Sequence, residues 1–230
     1  MKKVLKPSEV IIKLLLFIIV LGAAFFGMAR TFNWPEAWIW IGLYVAWAIF
    51  IAIYLYKNNP ELLKERLNTF KKYQKKWDLI VMLSGIPAYI AVFILPGLDI
   101  YRFGWTPKLP LLVEIFGFAL NIAAFYIIFL TMRANTFLTR VVEIQKDRGH
   151  HVISTGPYAY VRHPMYVGIF MMFFGTPLAL GSIWGLVGSV SASLVILLRT
   201  VLEDKTLQNE LPGYKEYTQK VKYRIIPGIW

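Results

Sequence analysis

Six apolar stretches, each close to the length a helix needs to cross a bilayer, constrain this chain more than any other feature. A spanning helix takes roughly 20 apolar residues to match a hydrocarbon core about 30 Å thick. Blocks of that kind fall at 9–29, 36–56, 77–98, 111–132, 164–180 and 182–202. The expected fold is therefore an all-α integral membrane protein with about six transmembrane helices. The first block is too long for a cleavable signal peptide and lacks a small-residue cleavage site. Composition agrees: 57% of residues are hydrophobic and 17% charged, against about 45–50% and 25% in soluble domains. A soluble globular or disordered chain is thereby excluded. With no cysteine, disulfides, thiolate nucleophiles and cysteine zinc sites are excluded too.

Six spans place both termini on one side, and the charges agree. Twenty-one of the 25 Lys and Arg residues lie in the N-terminal tail, the 57–76 and 133–163 loops, and the stretch from Arg199 onward. The opposite side holds only Arg30, Arg102 and Lys108. That bias puts both termini in the cytoplasm. The net charge of +12 is thus mainly a topology signal that also attracts anionic headgroups, and no soluble basic face suggests nucleic acid.

One membrane domain is expected, in two regions. Residues 1–132 hold the first four spans and an interfacial helix over about 60–76, where Leu63, Leu67, Phe70 and Trp77 recur at helical steps. Residues 133–230 hold a helical hairpin at 164–202 and a cytoplasmic C-terminal segment. Gly181, Gly185, Ser189 and Ser193 recur every four residues, a stripe suited to close packing of that hairpin. Pro177 is expected to kink the fifth span. Glu114 and Asn121, seven residues apart, share one face of span four and read as interior hydrogen-bonding groups.

Chemistry concentrates after residue 132. Gly156-Pro157 signals a turn, and His163-Pro164 opens the fifth span with proline at its first position. The amides of Met165, Tyr166 and Val167 are then expected to be free at the positive end of a helix. Arg199 and Glu203 stand at i and i+4 near the end of span six, with Asp204 adjacent. Antiparallel geometry brings those two helix ends together. Backbone donors, an imidazole, phenols, a guanidinium and carboxylates suit a zwitterionic ligand with an extra cation. Donors would take its carboxylate, Glu203 its ammonium or hydroxyls, and aromatic faces a sulfonium. Singly, these residues read as a helix cap, a surface ion pair and an aromatic belt; their convergence points to a site.

At these residues the chain resembles a known family. The run from Gly156 through Gly168 with its Arg162-His163-Pro164-Met165-Tyr166 core, then Arg199, Glu203 and Asp204, then Leu211-Pro212-Gly213-Tyr214 and Tyr223 through Pro227, resemble the isoprenylcysteine carboxyl methyltransferases, relatives of the phospholipid methyltransferases. The resemblance covers roughly residues 130–230; the 59–66 segment and Trp77-Asp78 look like features of prokaryotic members. It implies S-adenosylmethionine as methyl donor, held in a cytoplasmic pocket. It also implies contacts from Gln145, His150, His151, Val152, Ile153, Tyr158, His163, Pro164, Met165, Tyr166 and Glu203, with Arg199 at the acceptor substrate. Glu203-Asp204 stands where the family often has two glutamates.

The implied chemistry is a single in-line displacement by an oxygen or nitrogen, without metal or covalent intermediate. The implied partners are the lipid bilayer and a lipophilic acceptor, foremost the carboxylate of a prenylcysteine-like or other lipidic acid. Three rivals stay open. One is a phospholipid amine methyltransferase, in which Arg199 would hold phosphate. Another is a nicotinamide-dependent reductase of the sterol reductase type, though those chains are longer. The last is a non-enzymatic membrane scaffold or sensor.

Overall fold

The computed structural model describes residues 7–67 and 74–230, and among these every regular element is helical. In order they are α1 (Pro7–Ala29), α2 (Pro35–Asn58), α3 (Pro60–Leu67), α4 (Lys76–Gly97), α5 (Leu111–Ala134), α6 (Pro164–Ala179), α7 (Gly185–Glu210) and α8 (Tyr214–Lys220). Five of them are long and apolar enough to cross a membrane; α6, with 16 residues, is shorter. At 1.5 Å per residue α6 spans only about 24 Å, so the fifth expected block is a helix just short of bilayer thickness. Large apolar side chains along the long helices are exposed, among them Leu15, Ile53, Leu112 and Leu194. So extensive an apolar exterior belongs against lipid: this is a multi-pass membrane protein.

Prolines mark several boundaries. Pro35 and Pro164 begin α2 and α6, where the missing N–H is harmless. Pro96, near the end of α4, cannot donate to the helical ladder. A π-helical turn, Leu98–Phe103, follows at once and carries a fully buried carboxylate, Asp99. Asp99 accepts bonds from the Thr106 amide (2.8 Å) and hydroxyl (2.5 Å), the Ser182 hydroxyl (2.6 Å) and the Trp184 amide (3.3 Å). This knot pins the α6–α7 turn to the end of α4, leaving the other ends of the two helices to form the site.

The expected interfacial helix differs from the observed α3. It stops at Leu67, residues 68–73, including Phe70, lie outside the described residues, and Trp77 belongs to α4. Leu62 and Leu63 of α3 are buried with Ile51, Leu55, Ile128 and Met132. The helix is thus anchored in the bundle rather than resting on its surface.

The small-residue stripe faces α6 as expected: the Ser189 hydroxyl donates to the Phe173 carbonyl at 2.6 Å, and a Cβ on Gly185 would lie 2.5 Å from Pro177 Cβ. The most extensive contacts of α6, however, are with α5. Asn121 contributes there, donating to the Gly117 carbonyl at 2.8 Å and accepting from Thr176 at 3.3 Å. Starts of α4 and α6 and ends of α5 and α7 meet at one end of the bundle, capped by the 135–163 loop and α8.

Candidate functional site

The Arg162-His163 pair that opens α6 is held by a fully buried carboxylate, Asp204 of α7. Its Oδ1 accepts from Arg162 Nε (2.9 Å), the Tyr214 hydroxyl (3.1 Å) and His163 Nε2 (3.2 Å). Its Oδ2 accepts from Gln208 Nε2 (2.9 Å), Arg162 Nη2 (3.0 Å) and Arg224 Nε (3.1 Å). Arg162 Nη1 also donates to the carbonyls of Val221 (2.9 Å) and Lys222 (2.7 Å). Three donors on each oxygen saturate the carboxylate. Asp204 therefore ties α6, α7, α8 and the C-terminal tail together, and of the two adjacent acids only Glu203 is available to a ligand.

Glu203 is met by Tyr166, whose hydroxyl donates to Oε2 at 2.5 Å. The Tyr166 ring stacks on His163 at 5.8 Å and lies 5.9 Å from the Arg199 guanidinium. The surface ion pair that Arg199 and Glu203 would suggest if read singly is not formed. Arg199 Nε donates to Asp78 Oδ1 at 2.8 Å, and Nη2 reaches Asp78 Oδ2 at 3.4 Å and the Arg140 carbonyl at 2.7 Å. Asp78, buried in the first turn of α4, also accepts the Val142 amide at 2.9 Å. One carboxylate thus connects α4, α7 and the loop. Among the described residues Arg199 Nη1 makes no hydrogen bond.

The helix start is less open than expected. The amide of Tyr166 closes a turn on the His163 carbonyl at 3.0 Å, which removes one of three amides read as free.

The 135–163 loop is built around Phe137. His150 stacks on its ring at 4.7 Å, His151 meets it edge-on at 5.1 Å, and the Arg148 guanidinium lies 5.5 Å from it. Burial first, then the charges of His151 and Arg148, pull the His150 pKa down to about 4. Its imidazole is neutral at physiological pH, and Nδ1 accepts from the Gln145 amide at 3.4 Å, which places the proton on Nε2. Tyr158 receives a bond from Asn135 at 2.8 Å on its hydroxyl and one from the Tyr217 hydroxyl at 2.6 Å on its carbonyl. Burial raises the pKa values of Tyr158, Tyr214 and Tyr217, keeping all three phenols protonated.

These groups enclose a cavity of about 260 Å³. His150, His151, Val152 and Ile153 line one part of it, and Tyr158, His163, Met165 and Tyr166 another. Arg199 and Glu203 complete the wall from α7. Gln145 and Pro164 do not line it. Gln145 is a strut of the loop, donating to the Phe137 carbonyl and accepting from Arg148, both at 2.5 Å. Pro164 faces a separate groove bounded by Leu130 and Pro227. Sequence reasoning missed Arg66, Phe137, Arg140 and Tyr217 on the cavity wall and Asp78 behind it. Only Trp77-Asp78, singled out without a role, hinted at the last.

Residues 112–212 match the family model described as phospholipid methyltransferase. Among curated proteins, the chain is 27% identical to a protein-S-isoprenylcysteine O-methyltransferase of Xenopus laevis over 71% of its own length and 54% of that protein. With the Dictyostelium discoideum protein of that name it shares 23% identity over 86% and 74% of the two chains. With the human one it shares 32% over 54% and 40%. The chain spans about half the length of the Xenopus relative it matches. The matched stretch runs from the start of α5 to just past the end of α7 and holds every cavity residue expected from the sequence, and over it the chain is similar to the isoprenylcysteine carboxyl methyltransferases and the phospholipid methyltransferases.

Proposed function

We propose that the protein transfers a methyl group from S-adenosylmethionine to a lipophilic acceptor, foremost the carboxylate of a prenylcysteine-like or other lipidic acid. The observation that carries this reading is the meeting of Tyr166, Glu203 and Arg199 on one cavity wall at the joined ends of α6 and α7. The donor set fits the methyl donor. Glu203 Oε1 has no partner among the described residues and suits an ammonium or ribose hydroxyls. The rings of Tyr166 and Tyr158 suit a sulfonium, and neutral His150 offers an N–H. The relatives' names point to an oxygen acceptor.

When bound, the donor supplies an electrophilic methyl whose leaving group is a neutral thioether, so no acid is needed to expel it. An acceptor carboxylate is already nucleophilic at neutral pH. Its oxygen forms the new bond to carbon while the carbon–sulfur electron pair returns to sulfur, and no proton moves. Arg199 Nη1 orients that carboxylate, with its guanidinium braced by Asp78. Tyr166 fixes the Glu203 rotamer through its hydroxyl. Catalysis then consists of positioning and exclusion of water. The Met82, Met165 and Ile169 side of the cavity gives a lipophilic chain an apolar wall. The cavity end of the bundle lies on the cytoplasmic side by the Lys/Arg bias, with residues 133–230 supplying most of the donor pocket.

The family model's description favours a second reading, methylation of a phospholipid amine. Equilibrium binding of S-adenosylmethionine and NADPH to the purified protein tests the class: the former should bind and the latter should not. Methyl transfer from labelled donor to prenylcysteine acids and to phosphatidylethanolamine separates the two acceptors. Binding of neither ligand sinks the enzymatic reading.

A further inference from the structure

Four arginines line the cavity, Arg66 of α3, Arg140 and Arg162 of the loop and Arg199 of α7, and of these Arg162 is paired with Asp204. Their charges are balanced differently. Arg199 has the Asp78 carboxylate against it, and its Nε and Nη2 donors are engaged. Arg66 forms no hydrogen bond or ion pair among the described residues, and the Arg140 side chain forms none either. Residues 1–6 and 68–73, outside that description, contain no Asp or Glu that could serve them.

Arg66 is half-buried on a helix whose neighbouring Leu63 and Leu62 are buried in the bundle. It is therefore not a solvated side chain swinging on a surface helix. Burial, and after it the charge of Arg140, lower its pKa to about 10, with Arg199 adding to the repulsion. The group is still a cation at neutral pH. A desolvated cation with cationic neighbours is unfavourable until an anion arrives.

We propose that Arg66, with Arg140 beside it, forms the anion subsite that clamps the acceptor's carboxylate, while Arg199 adds a single guiding donor. This rests on the methyltransferase reading above. Arg66 lines the cavity with no partner among the described residues, and a guanidinium's planar fork matches a carboxylate with two parallel bonds. Arg199 has only Nη1 to offer. The donor's own carboxylate has the same chemistry, so the test must separate the two sources.

The experiment uses the full chain in nanodiscs with a synthetic prenylcysteine acid as acceptor. Arg66→Gln should raise the acceptor KM at least tenfold, with donor Kd within twofold of wild type. Arg140→Gln should raise the acceptor KM by a smaller factor, and Arg66→Lys should fall between Arg66→Gln and wild type. Unchanged acceptor KM in Arg66→Gln overturns the inference. So does a loss confined to donor Kd, which would assign Arg66 to the donor's carboxylate. Should Arg66→Gln fail to fold, Arg66→Lys decides alone, because it keeps the charge and loses the fork: a severalfold rise supports the clamp and no rise overturns it. Failure of the functional reading would look different, as wild-type protein that binds no donor or methylates no carboxylate.

Discussion

Tyr166 and Glu203 stand 37 residues apart in the chain, on different helices, and meet with the phenol hydroxyl 2.5 Å from the carboxylate. That contact brings the start of α6 and the end of α7 to one cavity. A carboxylate so oriented offers its second oxygen to a ligand. Replacing Glu203 by Gln removes a charge-assisted bond of about 1.5–3 kcal/mol, so S-adenosylmethionine affinity should fall roughly 10- to 100-fold while the protein stays folded. Equilibrium binding in detergent measures this, and full affinity in Glu203→Gln would refute the ammonium or hydroxyl role.

The adjacent acid should behave differently. Asp204 accepts six bonds from five side chains across four parts of the fold. In Asp204→Ala the Arg162 guanidinium, itself buried, loses its counter-charge, a change worth about 3–5 kcal/mol. Folding yield and thermal stability should drop together with donor binding, and limited proteolysis should open the C-terminal tail after α8. Stable protein with selectively weakened donor binding would instead make Asp204 a ligand residue.

Asp78 and Arg199 form a buried pair between α4 and α7, 2.8 Å apart at the closest atoms. Asp78→Asn leaves Arg199 charged and uncompensated, with an expected loss of about 3–5 kcal/mol. Arg199→Gln should cost similarly. The double variant should cost much less than the sum, because no buried charge is then left alone. Unfolding midpoints of the four proteins close the cycle; additive losses would show that the two residues act independently.

His150 carries a pH signature. Its folded pKa of about 4 lies below the ordinary 6.5, so the unfolded chain binds a proton in a window where the folded one does not. Stability should therefore be full above about pH 6.5, fall as the pH drops from there to about 4, and lose nothing further from this group below that. His150→Gln should flatten that segment of a stability-versus-pH curve. An unchanged slope would mean that His150 is not held neutral by its seat on Phe137.

Bilayer thickness made the long helices legible, since a block of twenty apolar residues has few other uses. Chain order made the hairpin legible, and with it the meeting of Tyr166 and Glu203. What escaped notice depends on long-range partners. Asp78 is 121 residues from Arg199, and no local period reveals that the i, i+4 neighbour Glu203 loses Arg199 to it. Gln145 is a ligand by the resemblance alone, and here its amide braces the Phe137 loop. Asp204 and Glu203 are adjacent and chemically alike, but successive positions on a helix point about 100° apart, so one enters the interior network and the other the cavity.

Glycine placement in α5 was equally silent, because the helix that touches it comes some fifty residues later. A Cβ on Gly117 would lie 2.2 Å from the Ala179 nitrogen and 2.7 Å from its Cα. Both are backbone atoms, so no side chain can swing aside and α5 and α6 must part. Gly117→Ala should therefore destabilise the protein by about 1–3 kcal/mol, as overpacking does. Since α6 also carries Met165 and Tyr166, turnover should fall further than stability alone explains at temperatures where the variant is folded. Gly27→Ala on α1 is the control. A Cβ there meets nothing within 4 Å, and helix propensity favours alanine by up to about 1 kcal/mol. Thermal unfolding and methyl transfer of the two variants in the same nanodiscs decide the matter: equal behaviour would mean that the α5–α6 contact does not hold the cavity wall in place.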